Sequence, residues 1–270
     1  MQYEPIKKSL GRFISGSLLM RKALYAFLDL LLLRTWHVNK VLKSIAKEFR
    51  GKAHVLDAGS GLGQYTWRMG RKNPGWEING IDIDLDHIED CKRFFSQTRL
   101  SGRVGFETGD LTLTDENEKY DIILSVDVME HIKDDILVFS NFNKALKKNG
   151  YLVISTPSDK GGSDVNEEHG KSFIDEHVRD GYSIEEITSK LISVGFNDVL
   201  ARYTYGKPGN ISWRLSMKYP VMMLNKSYFF FIILPVYYFL TFPVSLILNT
   251  FDLHTTHKSG TGLLVTARKR

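Results

Sequence analysis

Between residues 57 and 63 the chain reads Asp57-Ala58-Gly59-Ser60-Gly61-Leu62-Gly63, three alternating glycines behind an apolar run that ends in an acid. Glycine reaches positive φ without a Cβ penalty and lets the backbone approach a ligand closely. The spacing is G-x-G-x-G, one residue tighter at the third glycine than the dinucleotide fingerprint. Alone it says little. Nineteen residues after Gly63, however, Asp82 closes the stretch Gly80-Ile81-Asp82-Ile83-Asp84. An acid at the tip of a second strand can accept hydrogen bonds from both hydroxyls of a ribose. Turn and acid together point to a ligand with a nucleoside half.

Proton chemistry is offered in two places. Asp127-Val128-Met129-Glu130-His131 is one, and Phe173-Ile174-Asp175-Glu176-His177-Val178-Arg179 is the other. A histidine titrates near neutrality and can take the proton of a phenol or alcohol. His177 ranks slightly ahead of His131 as a general base, because Arg179 and Tyr182 accompany it. That constellation would order a lid or hold an anionic substrate group. The bland alternatives are a Glu130-His131 pair that packs under a cofactor, and loop histidines at His169 and His177. Asp127, Glu130 and His131 also form an acidic-acidic-His set, but an open carboxylate site needs further ligands, and none is identifiable. No metal ligand is assigned.

These residues need elements to hold them. From Ala53 the pattern alternates strand and helix, with strands at His54–Asp57, Glu77–Asp82, Val104–Thr108, Tyr120–Ser125 and Gly150–Ser155. Helices fall at Gln64–Lys72, Leu85–Ser96 and Ile136–Leu146, the last with a glycine exit at Gly150. Five strands with intervening helices predict a parallel sheet covered on both faces. A further helix begins at Ser183, with Glu186 completing a capping box and Tyr182 and Ile187 at the staple positions. Strands at Asn197–Tyr205 and Gly262–Ala267 complete the list. Residues 13–49 read as helical, with a wide apolar stripe from Phe13 to Leu32.

In order and spacing, residues 53–205 and 260–268 resemble the class I methyltransferases that use S-adenosylmethionine (SAM). The resemblance implies a Rossmann-like α/β domain with a seven-stranded, mostly parallel sheet whose last strand is antiparallel. It also implies SAM as cofactor and a set of site residues. Gly59, Gly61 and Gly63 would line the methionine part, with Asp57 near its amino group. Asp82 would hold the ribose and Ile83 would pack on adenine. Asp110 would accept from the adenine amine while Leu111 flanks the ring. The Ser125 carbonyl would meet the methionine ammonium. The Asp127, Glu130, His131 set is similar to that of the ubiquinone-biosynthesis type of O-methyltransferase.

Charge is segregated along the chain. Residues 1–52 carry a net +8 and residues 199–270 another +8, whereas residues 53–198 carry −11. A nucleic-acid binder displays its positive charge on the folded module. Here the module is acidic, and the basic flanks adjoin apolar sequence, which points to an anionic membrane surface. From Ser227 to Phe251 there are twenty-five uncharged residues, interrupted by Pro235 and Pro243. That is long enough to span a bilayer. A single crossing would strand residues 260–270 on the far side, away from the sheet they must complete. A re-entrant hairpin or an interfacial pair of helices meets both demands. Cys91, the lone cysteine, excludes an intramolecular disulfide. The N-terminus lacks a secretory pattern, so the chain reads as cytoplasmic and peripheral or monotopic on the inner face of the membrane.

Three units follow: a basic amphipathic helical extension (1–52), a methyltransferase domain (53–205 with 257–270) and a hydrophobic insertion (206–256). The expected activity is methyl transfer to a hydrophobic, lipid-like acceptor, with a hydroxyl oxygen as target and no nucleic-acid partner. One alternative is a soluble small-molecule methyltransferase whose insertion is a substrate lid or homodimer interface. The other is a SAM-binding sensor or partner subunit without turnover.

Overall fold

The computed structural model describes residues 17–49, 51–161, 178–227 and 229–270. Seven strands form one sheet in the order β3-β2-β1-β4-β5-β7-β6. They are β1 (Lys52–Ala58), β2 (Gly75–Asp82), β3 (Val104–Thr108), β4 (Tyr120–Val126), β5 (Leu146–Pro157), β6 (Phe196–Thr204) and β7 (Gly262–Lys269). The strand β7 alone runs antiparallel, between β5 and β6. Central strands buried on both faces are continuously apolar, as Ile122-Ile123-Leu124 and Leu152-Val153-Ile154 show. This is the Rossmann-like methyltransferase fold.

Helices α1 (Leu18–Leu31) and α2 (Leu33–Ile45) precede the sheet, where the stripe predicts one helical stretch. The chain leaves the helix at Leu32, whose backbone is extended. On one face of the sheet α2 inserts Val38, Leu42 and Ile45 beside Val55, Trp76 and Ile122. The opposite face carries α5 (Asp135–Ala145) and α6 (Ile184–Ser193), with Phe139, Phe142, Ile187 and Leu191 in the core. Helices α3 (Gln64–Lys72) and α4 (Leu85–Ser96) occupy the positions read from the sequence. The Ser183 hydroxyl accepts from the Glu186 N–H at 2.9 Å, so the serine half of the predicted capping box forms, while the Glu186 carboxylate accepts from Lys190 at 2.7 Å.

The stretch Leu146–Gly150 differs from expectation. It is the start of β5, not the end of α5, and the register against β4 shifts between Tyr120 and Ile122. Asn149 takes φ 65° in this irregular stretch. A short polar side chain tolerates that conformation, so the Asn-Gly pair marks a bulged strand and not a helix exit.

Thr204 and Pro157 both pair with Gly262, so the insertion leaves and re-enters at the carboxyl edge of the parallel strands. Outward it runs through α7 (Lys207–Trp213), a π-helical turn (Arg214–Lys218) and α8 (Tyr219–Lys226). It returns through α9 (Phe230–His254), which at ~1.5 Å per residue is roughly 37 Å long. Pro235 and Pro243 do not break α9; the remaining hydrogen-bond ladder carries it past both. The π turn has a local cause. Pro220 has no N–H, and the Tyr219 N–H donates to Arg214 instead of Leu215. The carbonyls of Leu215 and Ser216 are then met by the hydroxyls of Tyr237 (2.8 Å) and Tyr238 (2.9 Å) from α9. The outcome is a helical hairpin built on α7, α8 and α9.

Candidate active site

The glycine turn joins β1 to α3. All three glycines are left-handed: Gly59 at φ 80°, Gly61 at 49° and Gly63 at 76°. At Gly59 a Cβ would lie 2.2 Å from Val128 Cγ2, so only glycine fits between the tips of β1 and β4. At Gly61 a Cβ would meet nothing within 4 Å, so the turn opens to a ligand there. Asp82 braces this turn from the side: Oδ2 accepts from the Gly61 N–H at 2.7 Å and Oδ1 from the Asp84 N–H at 3.0 Å. An ionised carboxylate has lone pairs to spare for two hydroxyls. The Ile83 side chain beside it is 74% exposed, a free apolar face for a ring.

Other predicted residues have their own settings. Asp57 is buried and accepts from the Thr66 hydroxyl at 2.5 Å, which ties β1 to the first turns of α3. Burial pushes its carboxyl up to about 6. Asp110 Oδ1 accepts from both the N–H and the hydroxyl of Thr112 at 2.8 Å, which orients its carboxylate. Leu111 packs into the core beside Ile81 and Met129. Ser125 is fully buried at the tip of β4, level with Ala58. The hydroxyls of Ser60 and Ser125 are buried without a protein partner, as groups around a polar ligand would be. The turn, the acid, the open apolar face and these hydroxyls fit SAM.

His131 ends a short 3-10 turn (Met129–His131) on the same edge and is exposed to solvent. Glu130 points inward instead and accepts from the Thr156 hydroxyl at 3.1 Å. Among the described residues no three His, Cys, Asp or Glu side chains converge as a metal site. His177 and His169 lie outside the described residues. Their neighbours are tied to the fold: Arg179 pairs with Asp135 and bonds the Ile132 carbonyl at 2.7 Å, and the Tyr182 hydroxyl donates to Asp135 at 2.7 Å.

Burial and the nearby Asp127 raise the Glu130 carboxyl well above its ordinary 4.5. From about pH 4.5 upward the native state therefore keeps a proton that the unfolded chain releases, and stability falls as pH rises. Glu130→Gln copies the neutral form. Melting curves from about pH 5 to pH 8 should show a decline in the wild type and a flatter profile in the variant, as that linkage requires. Equal slopes would place the proton elsewhere.

Arg34 escapes the sequence reading. It sits in α2, forms an ion pair with Asp127, and its N–H donates to the Tyr205 hydroxyl at 2.9 Å. The neighbouring Thr35 hydroxyl meets that of Tyr65, from the first turn of α3, at 3.2 Å. Asp127 follows β4 directly and holds φ 54°, so the Arg34–Asp127 pair stands at the carboxyl edge of the sheet. The signal was a base that directly ends an apolar run, Leu30-Leu31-Leu32-Leu33-Arg34.

Residues 50–191 match the family described as a methyltransferase domain. Phosphoethanolamine N-methyltransferase of Triticum aestivum is 30% identical over 151 residues, 54% of this chain and 28% of that protein. Ubiquinone biosynthesis O-methyltransferase of Pelagibacter ubique is 26% identical over 127 residues, 44% of this chain and 51% of that one. The chain thus spans about half or less of these relatives. Among solved structures, phosphoethanolamine N-methyltransferase 2 of Haemonchus contortus in complex with SAM superposes with a TM-score of 0.57 at 20% identity, over 81% of this chain and 49% of that one. The cyclase SpnF gives 0.57 at 17% identity, over 85% and 80%. These two show the fold alone. From the family match and the donor site that the fold builds, the chain belongs to the methyltransferase-domain family, class I enzymes whose cofactor is SAM.

Proposed function

We propose that this protein transfers the methyl group of SAM to a hydroxyl of a lipid-like acceptor while docked on a membrane through its helical hairpin. The observation that carries the reading is the inverted composition of that hairpin. Its buried residues are Gly209, Ser212, Ser216, Pro220, Ser245, Asn249 and Asp252. Its exposed ones include Phe229, Ile232, Val236, Phe239, Leu240, Ile247 and Phe251. Small residues inside and large apolar ones outside is how helices pack in lipid. The flank from Arg202 to Lys226 holds five bases and no acid, each contributing ~1 kcal/mol near an anionic leaflet. Both arms start at the carboxyl edge, beside the donor site, so an acceptor held in the bilayer surface would lie close to the reacting methyl.

Bound at the glycine turn, SAM supplies a methyl group already activated by its sulfonium. The protein has to align the acceptor, exclude water and remove a proton. The base in this reading is an imidazole nitrogen of His131, which the exposure of that residue on this edge supports. His177, which the sequence ranks slightly ahead of it, lies outside the described residues and is the other candidate.

Flotation with anionic liposomes tests the docking. The wild type should float and be only partly released by high salt, because the apolar contact is not screened. Replacing residues 214–247 by a short Gly/Ser linker keeps the Asp252–Gly209 bond at the hairpin base. That variant should bind SAM yet stay in the soluble fraction. A wild type that ignores liposomes and elutes as a dimer would instead assign the apolar face to a second copy.

A further inference from the structure

Helix α1 has two faces with different tasks. Arg21, Tyr25 and Asp29, spaced four apart, share one face. Arg21 donates to the Leu62 carbonyl at 2.7 Å and pairs with Asp90, and the buried Tyr25 hydroxyl donates to the same carbonyl. Asp29 accepts from Gln64 Nε2 at 2.9 Å and pairs with Arg68, both in α3. Leu62 lies between Gly61 and Gly63. So α1 grips the donor turn from one side while Asp82 holds it from the other. The opposite face carries Leu19 (77% exposed), Phe27 and Leu30, all facing solvent. Phe27 also lies 6.4 Å, between ring centroids, from both Tyr238 and Phe242 of α9, which joins this face to the apolar surface of the hairpin.

We propose that α1 couples the donor site to membrane docking, with Arg21 and Tyr25 as positioning residues for the glycine turn. The inference rests on the membrane reading above. A 14-residue helix is marginal by itself and keeps its place through the contacts of its two faces. In water the outer face has the Phe27 contact to α9; on a bilayer the exposed Leu19 and Leu30 are buried as well, and the closed position of α1 is favoured. That position fixes the Leu62 carbonyl and with it the turn that receives SAM. A state favoured by lipid and by SAM alike makes each ligand strengthen the other, by equal factors.

The test is calorimetry of SAM binding to the full chain, without vesicles and with vesicles of phosphatidylglycerol and phosphatidylcholine. The vesicles should tighten SAM binding at least about fivefold, the lower end of ordinary coupling, and SAM should tighten vesicle binding by the same factor. Leu19→Glu, on the exposed face, should still float through the hairpin and keep the vesicle-free SAM affinity, but lose most of the gain. Tyr25→Phe should weaken SAM binding without vesicles, while the melting temperature stays close to that of the wild type. A wild type that floats with unchanged SAM affinity would overturn the coupling and leave the membrane reading intact. An undiminished gain in Leu19→Glu would remove α1 from it. A wild type that does not float would overturn both.

Discussion

Asp82→Ala should lower SAM affinity at least tenfold by calorimetry, with the protein still folded. Two charge-assisted bonds to the ribose are lost, each worth ~1.5–3 kcal/mol gross, and water replaces part of that. A tenfold loss needs only ~1.4 kcal/mol of the total. The structure adds a second contribution, because the same carboxylate accepts from the Gly61 N–H and so holds the turn. Asp82→Asn keeps an acceptor for that N–H but no charge, and should fall between wild type and alanine. Unchanged affinity in a folded Asp82→Ala protein would mean that the ribose lies elsewhere.

A larger change is expected in turnover. His131→Ala should cut the methylation rate by ~10²–10⁴-fold if its imidazole is the general base, with SAM affinity nearly unchanged. His177→Ala is the parallel experiment, and the residue whose loss cuts turnover while sparing SAM affinity is the base. Full turnover in both variants would mean an acceptor that needs no base, such as an amine.

The sheet was legible because its period is simple. Strand β4 announces itself by the apolar run Ile122-Ile123-Leu124, β2 by alternating Trp76, Ile78 and Gly80 inward, and β1 by the apolar pair Val55-Leu56 ahead of the glycine turn. The cap at Ser183 is a local hydrogen bond, readable over three residues. What stayed hidden depends on contacts distant in sequence. Arg34 matters because α2 returns it to Asp127 and Tyr205, 93 and 171 positions away. Arg21 and Tyr25 look like any residues of an amphipathic helix until Leu62 is seen beside them. The buried Asp252 accepts from the Gly209 N–H at 3.0 Å and bonds His37 Nε2 at 2.9 Å, locking the hairpin base onto α2. No local pattern reveals that link. The hairpin itself was half legible: its length and apolarity are in the sequence, whereas its small-residue seam emerges only when α7 and α9 are paired.

The most direct measurement follows a labelled methyl group. Wild-type protein, SAM carrying a labelled methyl and vesicles of total lipid extract are incubated together and partitioned between organic solvent and water. The account predicts label in the organic phase, lost on heating the protein first and strongly reduced when residues 214–247 are replaced by the linker. Label confined to water-soluble products, or equal transfer by the linker variant, would contradict a membrane-held acceptor.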